Sequence, residues 1–239
     1  MRLFIADAHI QEGTPQAADF HHMLDAISET SHDVVFLGDI LDLWIAIPRY
    51  EKDRFKDFIQ WCQKEKPRRR LVFLEGNHEF FITRRHGDLF HASAVGMLQE
   101  GDCAYLHGDH IQGHQFGHWL LHYLTKSLFG ICVLTCLPWG PAIANWARRT
   151  FSSKAKGTAG HFPLKPIRQW AKREMENGMQ HVFLGHFHSY HQWKFSRKRS
   201  CTILPAWKFH QEIGLFDEKT GKLAIAPWRR LLPPSPNNF

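Results

Sequence analysis

The sequence predicts an α/β fold, and two observations carry that expectation. Strand-like and helix-like segments alternate as βαβαβ from Arg2 to Leu74. In addition, five short apolar segments of buried-strand type each end in residues that bind metals or phosphates. Leu3–Ile5 leads into Asp7-Ala8-His9, and Val34–Leu37 into Gly38-Asp39. Leu71–Leu74 leads into Gly76-Asn77-His78-Glu79, Cys103–Leu106 into His107-Gly108-Asp109, and Val182–Leu184 into Gly185-His186-Phe187-His188. One Gly-Asp after a strand is ordinary turn chemistry. Five repeats of one grammar place a cluster of ligands at the carboxyl edge of a sheet, where open α/β sheets bind theirs.

Each element has a local cause. Arg2 to Ile5 reads as the first strand. Pro15 to Ser28 reads as a helix, because Ala17, Ala18, Met23, Leu24 and Ile27 share one face. Asp33 to Leu37 is a β-branched and aromatic strand. Glu51 to Lys64 reads as a second helix with Phe55, Phe58, Ile59 and Cys62 inward, and Pro67-Arg68-Arg69-Arg70 closes it as a solvated turn. Leu71–Leu74 and Cys103–Leu106 are further strands. After His188, strands are expected at Gln192–Phe195, Thr202–Leu204, Glu212–Phe216 and Leu223–Ala226, with Lys219-Thr220-Gly221-Lys222 as a hairpin turn.

Between His110 and Gln180 the rhythm breaks. Phe116 to Cys136 is strongly apolar and helical, Pro138-Trp139-Gly140-Pro141 interrupts it, and Ile143 to Phe151 is a short helix followed by basic residues. Lys165 to Asn177 is a third helix. No charge lies between Lys126 and Arg148, a length that could span a bilayer. The proline break opposes a continuous span, and a single crossing would separate His107 from His186. The expected structure is a helical lid with an exposed apolar surface suited to peripheral membrane contact; an ordinary hairpin packed on the core is the alternative. The organisation is then a core of residues 1–109 and 181–232, a lid insertion of residues 110–180, and a disordered tail, 233–239.

Composition narrows the partners. The 239 residues are 44% hydrophobic, enough for a real core, and the net charge of +7 favours anionic partners. The five cysteines are odd in number and lack a Cys-x-x-Cys, which predicts free thiols in a reducing compartment. Met1 leads straight into the first strand and Asp7, so no signal peptide is expected, and the predicted location is cytoplasmic.

Seven candidate ligands emerge: Asp7, His9, Asp39, Asn77, His107, His186 and His188. All offer oxygen or nitrogen, which disfavours a thiolate zinc site and suits Mn²⁺, Fe or Zn²⁺, with Mg²⁺ a further option. Seven ligands are too many for one ion that keeps an open position. Two divalent ions sharing the central Asp39 satisfy the count and suit in-line phosphoryl displacement. His78, beside Asn77, points at the substrate, donating a proton to the leaving oxygen or steadying the phosphate. Asp42 would orient its imidazole and favour the charged form.

The set Asp7-x-His9, Gly38-Asp39-x-x-Asp42, Gly76-Asn77-His78-Glu79, His107 and Gly185-His186-x-His188 resembles the calcineurin-like metallophosphoesterases. That resemblance implies a four-layer α/β/β/α sandwich with a binuclear metal site. It assigns Asp7, His9, Asp39 and His188 to one ion, and Asp39, Asn77, His107 and His186 to the other. His78 and Asp42 match the catalytic His-Asp pair, and Glu79 stands where Asp is commoner.

Within the family, Asp39-Ile40-Leu41-Asp42-Leu43-Trp44-Ile45 is similar to the UDP-2,3-diacylglucosamine hydrolases of lipid A synthesis. So are the lid position with Leu137-Pro138 and Ala147–Lys154, and the segment Leu204-Pro205-Ala206-Trp207. This likeness implies Mn²⁺-dependent cleavage of a lipid-linked nucleotide at the inner membrane face, giving UMP and 2,3-diacylglucosamine 1-phosphate. The amphiphilic substrate would meet Asn77, His78, His186 and the lid residues Ser153 and Lys154.

Those hydrolases usually carry Arg at the His78 position, and acidic residues where this chain has Gln112-Gly113-His114-Gln115. A paralogue acting on another, soluble phosphoester is therefore the second reading, and a non-catalytic scaffold the third. Leu43-Trp44 replace the Arg-Gly of protein phosphatases, and an apolar lid is a poor groove for nucleic acid. The sequence sets no oligomeric state.

Overall fold

The structure, a computed structural model, describes residues 1–51, 55–112, 135–140, 142 and 163–234. Residues 116–134 of the lid helix expected at 116–136, the helix expected at 143–151, Ser153, Lys154 and tail residues 235–239 lie outside the described residues.

Two sheets face each other. The first contains β1 (Arg2–Ile5), β2 (Asp33–Phe36), β4 (Leu71–Leu74), β6 (Ala92–Ala94), β12 (Glu212–Asp217) and β13 (Lys222–Pro227), in the order β13-β12-β1-β2-β4-β6. β1, β2, β4 and β6 run parallel, and β12 and β13 add antiparallel. The second contains β7 (Met97–Glu100), β8 (Cys103–Leu106), β9 (His181–Leu184), β10 (His191–Ser196) and β11 (Arg199–Ile203), in the order β10-β11-β9-β8-β7. Its three central strands are parallel and its edges antiparallel. A small parallel pair joins β3 (Trp44–Ile45) to β5 (Glu79–Phe80), and the short turn α4 (Ile82–Arg85) follows it.

Period-two alternation sorts the side chains into layers. On β1 and β2, Leu3, Ile5, Val34 and Phe36 face outward onto α1 (Pro15–Ser28) and α3 (Lys56–Glu65). Phe4, Ala6, Val35 and Leu37 face inward and meet Tyr105, Phe183, Leu204 and Phe216 between the sheets. The Phe4 and Phe183 rings stack there at 4.1 Å. Because both faces are covered, these strands read as continuous apolar runs. On the far side, α5 (Leu164–Glu176) buries Ile167, Ala171 and Met175 against Ala104, Leu106, Val182, Leu184 and Ile203. The layers are therefore α/β/β/α, and the helix expected at the end of the lid insertion supplies the fourth of them.

Some boundaries differ from the sequence reading. The helix expected at Glu51–Lys64 begins at Lys56, and Pro48–Glu51 is a separate turn, α2. β6 and β7 were not foreseen, because Ala92-Ser93-Ala94 and Met97-Leu98-Gln99-Glu100 carry neither a long apolar run nor clean alternation. No helix among the described residues is long and apolar enough to cross a membrane. Cys62, Cys103, Cys136 and Cys201 are free thiols.

The arginine run is not simply a solvated turn. The Arg69 side chain is 1% exposed and its Nε donates to Glu65 Oε2 at 2.7 Å, while its other nitrogens donate to Thr30 O and His32 O at 2.9 Å. Glu65 is fully buried, and Arg68, half exposed, completes its coordination at 2.8 Å. Arg69→Ala strands a buried carboxylate and is expected to cost about 3–5 kcal/mol in urea unfolding. Arg68→Ala should cost about 1 kcal/mol or less. Equal effects would show that the buried pair does not hold this corner.

Candidate metal centre

The ligand loops leave the strands at one edge and brace one another. The loops after β1 and β2 run side by side, with Asp7 N–H donating to Gly38 O at 3.1 Å, His9 N–H to Asp39 O at 2.9 Å and Ile10 N–H to Ile40 O at 2.9 Å. On the second sheet, Gly185 N–H donates to His107 O at 3.0 Å. Asp7, His9, Asp39, His186 and His188 all adopt left-handed backbone, with φ between 46° and 69°. Such residues are costly for L side chains and concentrate where a fold holds strain at a site.

Each carboxylate is half tied and half free. Asp7 Oδ2 accepts His186 N–H at 2.8 Å, and Asp7 Oδ1 is buried without a hydrogen-bond partner. Asp39 Oδ1 accepts His78 N–H at 2.8 Å, which leaves Oδ2 to face the imidazoles. Around Asp7 Oδ1, His188 Nε2 stands at 3.3 Å, and His9 Nε2 lies 3.4 Å from His188 Nε2. On the other side, His107 Nε2 lies 3.1 Å from Asn77 Oδ1 and 3.2 Å from His186 Nδ1. Asp39 Oδ2 stands between the two groups, 3.7 Å from His9 Nε2 and 3.5 Å from His107 Nε2. Donors on one ion at about 2.1 Å sit about 3.0–3.4 Å apart, so both groups fit a divalent cation with little adjustment. His107 Nδ1–H donates to Leu37 O at 2.9 Å, which fixes the tautomer that leaves Nε2 free to ligate.

The structure thus brings together all seven sequence-derived ligand candidates, with His78 and Asp42 beside them. A donor atom each from His9, Asp42 and His78 lies within 4.8 Å of the others. The contact that orients His78 comes from the Asp42 backbone: His78 Nδ1 is 2.6 Å from Asp42 O. A carbonyl only accepts, so Nδ1 carries the proton and Nε2 is left for the substrate.

Sequence reasoning noted Glu79 only as a departure and gave it no role. Its carboxylate is fully buried and accepts N–H groups from Asp39 at 3.0 Å, Ile40 at 2.8 Å and Gly76 at 2.9 Å. The available signal was an acidic residue standing immediately before the apolar run Phe80-Phe81-Ile82.

The charges oppose one another. Burial works against the ionised forms of Asp7 and Asp39, but the neighbouring histidines outweigh it and both carboxyls fall below their usual range. Burial also works against His107, yet Asp39 holds its imidazolium up to about 10. His188 is likewise raised, since Asp7 outweighs its burial. Burial pushes His9 down to about 3, and burial with the His107 charge pushes His186 down to about 4. Burial, with Asp39 adding to it, pushes Glu79 up to about 8.

A cation must therefore displace the His107 proton to be ligated at neutral pH. Raising the pH toward the His107 value removes the competing proton. Mn²⁺ affinity is expected to rise with pH by up to about tenfold per unit for each proton released. Calorimetry in two buffers of different ionisation enthalpy reads the proton count. A flat affinity with no proton release would contradict the Asp39–His107 arrangement.

The profile of the calcineurin-like phosphoesterases matches residues 2–190, a span that includes every candidate ligand. No curated protein matches the chain in sequence. Among solved structures, the chain is similar to Vacuolar Protein Sorting 29 from Cryptosporidium parvum, at 12% identity over 94% of each chain, with a TM-score of 0.45. It is also similar to a conserved protein of Streptococcus pneumoniae described as a predicted phosphoesterase, at 11% identity over 89% of this chain and 79% of that one, with a TM-score of 0.37. A 5'-nucleotidase precursor from Thermus thermophilus matches at 12% identity over 94% of this chain and 53% of that one, with a TM-score of 0.40. The chain belongs to the calcineurin-like phosphoesterase family and is a metal-dependent phosphoric ester hydrolase.

Proposed function

We propose that this hydrolase works with two divalent ions. Asp7, His9, Asp39 and His188 hold one, and Asp39, Asn77, His107 and His186 hold the other. The observation that carries this reading is Asp39 Oδ2, placed between the two donor groups at 3.7 and 3.5 Å from their imidazoles. Two bound ions supply Lewis-acid stabilisation of phosphoryl charge and activate water. The protein supplies the rest. His78, held by the Asp42 carbonyl through Nδ1, presents Nε2; as an imidazolium it donates a proton to the leaving oxygen, and it steadies the phosphoryl oxygens beforehand. Asn77 and His186 stand at the same edge and would meet the phosphoryl group.

The substrate proposed is a lipid-linked nucleotide pyrophosphate, UDP-2,3-diacylglucosamine, with Mn²⁺ as the metal and peripheral contact with the inner membrane face through the lid. Its support is the sequence resemblance around Asp39–Ile45, the lid and Leu204–Trp207. Near the lid, Arg49 on α2 donates to Thr135 O and Leu137 O at 3.1 Å and to Pro138 O at 3.0 Å, and the next residue, Trp139, is 73% exposed. An exposed indole suits an amphiphile or a membrane interface. Ser153 and Lys154 complete the proposal as lid contacts to the substrate.

The second reading is a phosphatase or phosphodiesterase acting on a soluble ester. What favours it is His78, which stands where the lipid nucleotide hydrolases usually carry Arg.

Two measurements test these readings. Mn²⁺-dependent release of UMP from UDP-2,3-diacylglucosamine is the expected result; hydrolysis of bis-p-nitrophenyl phosphate alone would retain the two-metal chemistry and discard the lipid substrate. His78→Ala should keep its metal content while kcat drops about 10²–10⁴-fold. Undiminished turnover would remove His78 from the chemistry.

A further inference from the structure

The chain turns back past the metal centre through α6 (Trp207–His210), a single helical turn fastened to the Asp7 loop. Trp207 N–H donates to Ala6 O at 2.9 Å, and Lys208 N–H to Asp7 O at 3.3 Å. The Trp207 side chain is fully buried, perpendicular to Phe20 at 5.2 Å, with Nε1 on Met23 Sδ at 3.1 Å. Gln211 ends the turn in left-handed backbone, φ 54°, and is itself held: its carbonyl accepts Trp228 N–H at 3.0 Å and its side chain donates to Asp19 at 2.6 Å. The turn is thus rigid before any substrate arrives.

With Trp207 pointing inward, Phe209 projects outward. It is 51% exposed, and its ring lies 5.8 Å from the His188 ring at an angle of 66°. Exposed apolar residues are common singly and need no function. This one differs in being rigidly mounted and in ring contact with a ligand imidazole of the centre. A phosphoester held at the Asp7–His188 side of the centre carries its organic group past such a neighbour.

We infer that Phe209 is a specificity-determining residue, a fixed aromatic face that takes a planar aryl or nucleobase group of the phosphoester. This inference rests on the two-metal reading of the centre. A flat ring gains most from another ring in offset or edge-on contact, and base–aromatic stacking tolerates any base.

The experiment compares the full, Mn²⁺-loaded chain with Phe209→Ala and Phe209→Trp, with metal content measured throughout. The probes are phenylphosphonate and methylphosphonate, bound but not hydrolysed, and p-nitrophenyl phosphoesters for turnover. The wild-type chain should prefer the phenyl ligand. Phe209→Ala should lose about three- to tenfold in affinity for it and not for the methyl ligand, and Phe209→Trp should retain the preference. In turnover, the loss should fall on KM. Equal losses for both ligands, reduced metal content in Phe209→Ala, or no aryl preference in the wild-type chain would each overturn the inference and leave Phe209 as packing for His188. Aryl preference without hydrolysis of any phosphoester would instead sink the hydrolase reading of the site while sparing the aromatic face.

Discussion

The Glu79 carboxylate is the constraint on which the centre depends. It is fully buried and receives N–H groups from the two loops that follow β2 and β4, at Asp39, Ile40 and Gly76. Those loops approach so closely that a Cβ on Gly76 would lie 2.2 Å from Asp39 Oδ1, so no side chain but hydrogen fits. Burial, with the Asp39 charge adding to it, makes the Glu79 charge costly and holds the group up at about 8, with the N–H groups of Gly76 and Ile40 pulling in the other direction. A buried carboxyl group accepting several backbone donors fixes the loops without relying on their local propensity, which the left-handed Asp39 and Gly38 would otherwise violate.

From that brace the division of each ligand carboxylate follows. Asp7 and Asp39 each commit one oxygen to a backbone N–H on a neighbouring loop, from His186 and His78. Each therefore points its other oxygen in one direction only. His107 is treated similarly, with Nδ1 bound to Leu37 O and Nε2 free. The donors are pre-positioned by groups that take no part in ligation, and loss of those groups would loosen a ligand without removing it.

The strand ends were legible in the sequence because buried parallel strands are continuous apolar runs and the ligands follow them immediately; Val34–Leu37 with Gly38-Asp39 is the clearest case. What escaped was whatever depends on long-range closure. Arg69 looked solvated because its partner Glu65 and the carbonyls of Thr30 and His32 meet only once α3 has packed on α1. Glu79 looked like a conservative departure because its donors come from residues some forty positions earlier as well as from its own loop. The role given to Asp42 was also incomplete: a side chain can be read from sequence, whereas the carbonyl that meets His78 Nδ1 has no residue-type signature. Ala92–Ala94 pairs in register with β4 without any strand-like composition of its own.

The same brace separates chemistry from substrate choice. β5, which carries Glu79, pairs with Trp44 of β3, whose indole donates to Glu51 Oε1 at 2.6 Å. Glu51 ends α2, and α2 carries Arg49, whose guanidinium holds the carbonyls at 135–138. On the other flank, α6 hangs from Ala6 and Asp7 and carries Phe209. Both turns proposed to meet the substrate are therefore mounted on the loops that position the candidate ligands, yet neither contributes a candidate ligand. On that proposal, substitutions in α2 or α6 would change which organic group is accepted while the strand ends, and the donors they fix, stay where they are. A fold built this way keeps one reaction and varies its substrate through short turns on a rigid scaffold, which is why the candidate metal donors stand out in this sequence and the group they would act on does not.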